Sequence, residues 1–334
     1  MGRTAFTLLA KEIMKYLTEG EFITLFQLCG QNPEDMSREC GISVRNIQAR
    51  RNKIEGFYNY SLATKTVYDR IAENIQPRPE RINLGIENGT VIIFSDAHFW
   101  PGIQTTAYKG LIWAIQNLEN IKTVINNGDA FDGASISRFP RIGWDSTPSL
   151  IGELKACEIA LGEIEDEAKK VNHKMKLIWP LGNHDARFEN RLAANAPQYE
   201  QIKGFSLKDH FPAWEPCWST WLTDRVIVKH RWKGGIHATH NNTLNSGVTM
   251  VTGHLHSLKV TPFDDYNGTR YGVDTGTLAD PYGPQFENYL ENSPTNWRSG
   301  FAVLTFYKGM LLWPEVVKVV DKTHVEFRGK VIKV

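Results

Sequence analysis

At 334 residues, with 41% apolar and 22% charged side chains, the chain is long enough for one or two packed cores, and nothing in it is low-complexity. Its 38 Lys and Arg against 37 Asp and Glu leave a formal net charge of +1, so a polyanionic partner would have to be met by a local patch rather than by a global field. No run reaches the roughly 18 apolar residues of a membrane span, and the four cysteines, Cys29, Cys40, Cys157 and Cys217, form no CxxC pair, which excludes a disulfide scaffold and favours free thiols in the cytoplasm.

The opening MGRTAFTLLAKEIMKYLTEG lacks the apolar core of a signal peptide because Lys11, Glu12 and Lys15 interrupt it, and it reads as an amphipathic helix. Helical periodicity continues to about residue 75. In PEDMSRECGISVRNIQARRNKIEG a helix runs from Glu34 to Gly41, and Ser43 can cap a second one that turns Val44, Ile47 and Ile54 inward. The spacing resembles a helix-turn-helix. Its second helix carries Arg45, Asn46, Gln48, Arg50, Arg51 and Lys53, residue types that contact phosphates and base edges, so DNA is the expected partner. The plainer alternative is a docking or dimerisation domain with a solvated basic face, giving a homo-oligomer. The expected organisation is a helical domain at 1–75, a linker at 76–89 marked by the prolines and glycines of IQPRPERINLGIENG, and a second domain at 90–334.

From Thr90 onward, β-branched runs alternate with helical stretches. The first strand candidates are TVIIFSDAHF, KTVINNGDAF, KLIWPLGNHD, RVIVKHRW and VTMVTGHLHS, followed by RYGVDTGTL, GFAVLTFY and EVVKVV. The helices TTAYKGLIWAIQNL and LIGELKACEIALGEIEDEAKKV separate the first three, which is the alternation of a layered α/β sheet. Each of the first five strands ends in residues able to bind metal, and loops at one end of such a sheet converge. They supply Asp96 and His98, Asp129 and Asp132, Asn183 with His184 and Asp185, His230, and His254 with His256. Strand alternation would point the last two imidazoles the same way. Carboxylate, imidazole and amide without thiolate suit Mn²⁺, Fe, Zn²⁺ or Mg²⁺, and so many donors fit two ions sharing a carboxylate better than one. Each motif alone is commonly a turn or a helix cap. His230 competes with His237 and His240, which fall on a helix, but it alone ends a β-branched strand. Asp274 in GVDTG reads as a turn cap.

The order and spelling of these blocks resemble the calcineurin-like metallophosphoesterase family. Its signature DxH, GDxxD, GNH(D/E), H and GHxH is met by Asp96 to His98, Gly128 to Asp132, Gly182 to Asp185, His230, and Gly253 to His256, across roughly residues 90 to 280. The resemblance implies an α/β fold, a four-layer αββα sandwich preceded here by the small all-α domain, and hydrolysis of a phosphoester at a dinuclear centre. Carried over, Asp96, His98 and His256 hold the first ion, Asn183, His230 and His254 the second, and Asp129 bridges them, with Mn²⁺ the expected metal. His184 cannot share the direction of its neighbour Asn183, so it is the candidate for protonating the leaving oxygen, with Asp185 or Asp132 orienting its ring. Protein-phosphatase relatives continue the second block as GDxxDRG, and the arginine holds phosphate. This chain has Gly133 and Ala134 there, and Arg187 in GNHDAR is the candidate substitute. The expected function is a nuclease or phosphodiesterase brought to nucleic acid by the N-terminal domain, the alternative a phosphatase or phosphodiesterase for small molecules or proteins. A helix-turn-helix joined to this catalytic type also resembles bacteriophage proteins, which implies the host cytoplasm.

Overall fold

The computed structural model describes residues 17–58, 62, 81–137, 147–200, 202–290 and 293–334, so the amphipathic helix expected at the N-terminus lies largely outside the described residues. The chain divides into two units, Met1–Arg78 and Pro79–Val334.

In the first unit, α1 (Glu19–Leu28) starts at a capping box: the Thr18 hydroxyl accepts from the Glu21 amide at 3.3 Å, and the Glu21 carboxylate accepts from the Thr18 amide at 2.7 Å. α2 (Pro33–Cys40) begins behind the Asn32 side chain, which caps the Glu34 amide, and stops at Gly41, whose φ of 64° suits a residue without Cβ. Two further residues lead into α3 (Val44–Tyr58). Phe22, Phe26, Met36, Ile42, Ile47, Ile54 and Leu62 form the core of this unit.

The second unit is built on two sheets. Nine strands make the larger one, whose main path runs β15 (Lys330–Lys333), β14 (His324–Phe327), β13 (Glu315–Asp321), β11 (Gly300–Tyr307), β2 (Gly89–Phe94), β3 (Ile121–Asn126), β4 (Lys176–Pro180), β5 (Trp214–Cys217), with β12 (Met310–Leu311) beside β11. The smaller sheet runs β1 (Arg81–Asn83), β6 (Ser219–Thr223), β7 (Val226–Val228), β8 (Thr249–Thr252), β10 (Gly268–Asp274), β9 (Lys259–Asp265). One face of the larger sheet, with Ile92, Phe94, Val124, Leu177 and Trp179, packs on α4 (Thr106–Asn117) and α5 (Leu150–Val171). The other face, with Val91, Ile93, Ile125 and Ile178, meets Val226, Val228, Val251 and Val273 of the smaller sheet. Burial on both faces explains why β2 reads as a continuous apolar run rather than an alternating one. α6 (Ala238–Ser246) covers the outer face of the smaller sheet at such close range that a Cβ on Gly272 would lie 2.1 Å from the Thr239 carbonyl oxygen. Four layers, helix, sheet, sheet, helix, follow.

The linker expected at 76–89 is corrected by this topology. From Arg81 the segment is strand, paired parallel to β6, and the amides of Leu84 and Ile86 donate to the carbonyls of Trp221 and Leu222. Ile82, Leu84 and Ile86 alternate and pack against the core between the sheets. The flanking prolines and glycines masked that period. Among the described residues no helix is long and apolar enough to cross a membrane.

Candidate metal centre

The five motif loops all leave the C-terminal ends of their strands: 95–99 after β2, 127–133 after β3, 181–185 after β4, 229–230 after β7 and 253–257 after β8. They are knitted by main-chain bonds, from the Asp96 amide to the Gly128 carbonyl at 2.8 Å, His98 to Asp129 at 3.0 Å, and Gly253 to His230 at 2.9 Å. The motif glycines are needed for this approach. A Cβ on Gly128 would lie 2.6 Å from the Gly182 nitrogen, one on Gly182 2.0 Å from Asp129 Oδ1, and one on Gly253 2.4 Å from Ser95 Oγ.

Asp96, His98, Asp129, His254 and His256 have φ of 52°, 39°, 55°, 70° and 55°, five of the ten non-glycine residues with positive φ among the described residues. Each such residue costs roughly 1–2 kcal/mol, and strain concentrated on one cluster of polar side chains marks a functional site. β8 ends at Thr252, so His254 and His256 diverge from a loop in left-handed conformation. The expectation that strand alternation aligns them is corrected.

Among the described residues three groups of donors result, with the ligand atoms of each within 4.8 Å of one another: Asp96, His98 and His256; Asp129, His230 and His254; and His98, Asp132 and His184, of which the first two hold only expected ligands. In the first, His256 Nε2 lies 3.0 Å from Asp96 Oδ1, and His98 Nδ1 is held at 2.9 Å by Asp132 Oδ1, which leaves His98 Nε2 as the ligand nitrogen. In the second, His230 Nδ1 donates to the Asn127 carbonyl at 2.7 Å, which aims Nε2 at Asp129 Oδ2, 3.1 Å away. Asn183 Oδ1 and His256 Nδ1 are buried without a hydrogen-bond partner, and His230 Nε2 has only the Asp129 carboxylate beside it. Buried polar atoms are rarely left so. A cation is the partner that would satisfy the Asn183 oxygen and the His230 nitrogen, so the residues present fit a metal.

The electrostatics agree. Burial would raise the Asp96 carboxyl, but the His256 and His230 imidazoles outweigh it and bring it to about 2. Burial would lower His230, yet Asp129 and Asp96 raise it to about 10. His254 falls to about 4 through burial and the neighbouring His230, with Arg231 adding to the effect. Without metal, protonated imidazole supplies the positive charge between the carboxylates.

His184 stands beside both groups. Its Nδ1 is 3.0 Å from Asp132 Oδ1 and 2.9 Å from the Asp132 carbonyl, and its Nε2 faces Arg187 Nη2 at 3.1 Å. Asp132 therefore orients His98 and His184 together. Arg187 Nη1 also donates to the Asp132 carbonyl at 2.9 Å, so this guanidinium is anchored at the centre. Asp185 is corrected: its buried Oδ2 accepts from the amides of Asp129 and Gly182 at 2.8 Å and from Trp179 Nε1 at 3.0 Å, and its Oδ1 from the Phe131 amide at 3.1 Å. It pins two metal loops together and does not touch the His184 ring, because those four donors occupy it. Asp274 caps a turn, its Oδ1 accepting from the amides of Ser257, Leu258 and Gly276.

Two features escaped sequence reasoning. Glu153, on α5, is buried and accepts from the amides of Gly133 at 2.7 Å and Ala134 at 3.2 Å, holding the loop that carries Asp132. Its register with the buried Cys157, Leu161, Ile164 and Ala168 could have revealed it as an inward carboxylate. Phe286 and Trp297 come from the long loop before β11; the Trp297 ring lies 4.5 Å from His256, and Phe286 lies 5.2 Å from His98. No motif marked them.

In the first unit, Arg45, Gln48 and Lys53 are exposed and Asn46 is half-buried. Arg50 turns back on its own unit, donating to the Leu17 carbonyl and lying 5.3 Å over the Phe22 ring, and Arg51 pairs with Glu55 at 3.5 Å. Each of these two expected phosphate contacts thus also has an intramolecular partner.

The fold and the donors define the class, an α/β sandwich whose strand-end loops assemble groups able to bind metal. No family model matches the sequence. The Gene 54 protein of Mycobacterium phage L5 is 26% identical over 161 residues, covering 42% of this chain and 60% of that protein, less than two thirds of its length. Among solved structures, the chain is similar to Vacuolar Protein Sorting 29 from Cryptosporidium parvum at 12% identity and a TM-score of 0.39, over 75% of this chain and 100% of that one. It is also similar to a protein serine/threonine phosphatase from Saccharomyces cerevisiae, at 13% identity and a TM-score of 0.37, over 73% and 85% of the two chains.

Proposed function

We propose that the chain is a dinuclear metal-dependent phosphoesterase that cleaves phosphoester bonds of nucleic acid. The observation that carries this is the convergence of six donors from four strand ends in two groups, with the buried Asn183 oxygen, from a fifth strand end, lacking any protein partner. In this reading Asp96, His98 and His256 hold one divalent ion, Asn183, His230 and His254 the other, and Asp129 is shared. Bound there, two cations, Mn²⁺ first among them, would neutralise phosphate charge and make a water nucleophilic at neutral pH.

The protein's own groups do the rest. Asp132 fixes both His98 and His184 through their Nδ1 atoms. That leaves His184 Nε2 as the atom from which a proton reaches the leaving oxygen. Arg187, anchored on the Asp132 carbonyl by one nitrogen, turns its other nitrogen from His184 to the substrate phosphate, which frees Nε2 for that task. The N-terminal unit brings the substrate through Arg45, Asn46, Gln48 and Lys53, and the likeness to a phage protein supports action in a host cytoplasm. The test is hydrolysis of bis(p-nitrophenyl) phosphate, a nucleotide monoester and oligonucleotides by chelated and Mn²⁺-restored protein. Restored diester and oligonucleotide cleavage is expected, and activity that survives exhaustive chelation would contradict the reading.

A further inference from the structure

Between Asp224 and Asp264 the chain carries five cations, Arg225, Lys229, Arg231, Lys233 and Lys259, and no carboxylate, although its overall charge is balanced. The topology sorts these along the smaller sheet. β7 and β8 run toward the metal edge, whereas β9 starts there at Lys259 and runs away, antiparallel to β10. Over its seven residues, at about 3.3 Å each, that places Asp264 and Asp265 at the far end of the sheet, where Arg270 already engages Asp265. Lys229, Arg231, Lys233 and Lys259 remain at the metal edge.

The loop that carries them is built. Residues 231–237 are all exposed, directly after the ligand His230. Asn242, buried on α6, clamps the loop from beneath: its Oδ1 accepts from the Lys233 amide and its Nδ2 donates to the Lys233 carbonyl, both at 3.2 Å. Lys259 Nζ donates to the Ile236 carbonyl at 2.8 Å and ties the loop to the start of β9. Arg231 and Lys233 make no ion pair with any described residue, and between them stands Trp232, 43% exposed, with the Lys233 ammonium 5.3 Å from its ring centroid. Two uncompensated cations flanking an exposed indole on a braced loop match alternating phosphate and flat base.

Resting on the phosphoesterase reading, we infer that the 229–240 surface is a track for a single-stranded polynucleotide, with Arg231 and Lys233 on successive phosphates and Trp232 stacked on an unpaired base. Adjacency to His230 favours this occupant over an acidic peptide or an anionic membrane, because a strand with one phosphate at the metal centre must pass its next ones over a neighbouring surface.

The test uses the full chain with chelator present, so that no strand is cut, and follows anisotropy of a labelled oligothymidylate across salt concentrations. Lys233→Glu should lower the slope of log affinity against log salt by about 0.7 for a lost single-strand contact, with Lys233→Arg restoring it. Trp232→Ala should weaken binding roughly five- to a hundredfold at unchanged slope, with Trp232→Phe retaining most of it. Both side chains are exposed, and thermal unfolding checks that the variants fold. Wild-type affinity and slope in Lys233→Glu and Trp232→Ala overturn the inference, as does competition by polyglutamate or anionic vesicles that equals competition by unlabelled oligothymidylate. Those results would leave the phosphoesterase reading standing if the Mn²⁺-loaded wild type still cleaves the chromogenic diester, whereas a wild type inert toward every diester would remove that reading itself.

Discussion

Replacing Asp185 by alanine removes one carboxylate and orphans four donors at once, the amides of Asp129, Phe131 and Gly182 and the Trp179 indole N–H. The residue is fully buried, so water cannot substitute. Each orphaned donor costs about 1–3 kcal/mol, and four at the lower bound sum to about 4 kcal/mol, a large part of the roughly 5–15 kcal/mol that holds a domain together. Asp185→Asn is milder. With its carbonyl oxygen in the Oδ2 position it keeps three of the four bonds and loses the one from Phe131, about 1–3 kcal/mol. Urea unfolding of the chelated proteins, followed by metal analysis after Mn²⁺ loading, reads both effects. Asp185→Ala should unfold at far lower urea and hold less metal, because the loops carrying Asp129 and Asn183 lose their common tether, with Asp185→Asn in between. Wild-type stability and metal content in Asp185→Ala, with turnover alone lost, would refute the reasoning and return Asp185 to the role of orienting His184.

Gly182→Ala should abolish tight metal binding in calorimetric titration, since the new Cβ would sit 2.0 Å from Asp129 Oδ1 and 2.5 Å from the Asp129 nitrogen; a variant that binds like wild type would show the loops to be pliable. Metal binding should release a proton, because Asp129 and Asp96 hold His230 up to about 10 without metal and a ligand imidazole must be neutral. The sign is fixed: affinity rises with pH below that value, by up to tenfold per unit, and constant affinity between pH 6 and 8.5 would count against it. His184→Ala should keep both ions, since the bond to Asp129 Oδ1 comes from the His184 backbone, while turnover falls about 10²–10⁴-fold; an empty His184→Ala protein would reassign the residue.

The strand-end motifs were legible because they are local: each places its donors within four residues of the end of its strand, and the site follows once those strands form one sheet edge. The division of labour within them was not. Asp185 and Asp132 are spelled alike in sequence, and only the packing of Trp179 and three loop amides separates a structural carboxylate from one that orients imidazoles. Arg50 could not be told from its outward neighbours because the group that claims it, the Leu17 carbonyl, is 33 positions away. β1 was hidden by the prolines and glycines that flank it, and β9 by Pro262 within it. Pro262 is tolerated where it stands because β9 is an edge strand and needs no second row of amide donors.

The central claim is that the seven donors hold two ions and that hydrolysis depends on both. Stepwise Mn²⁺ titration of the chelated full-length chain, with bound metal and bis(p-nitrophenyl) phosphate turnover read on the same samples, tests it directly. The account predicts saturation at two ions per chain, with turnover rising as the second binds. Saturation at one ion with full activity, or turnover in the chelated protein, would contradict it.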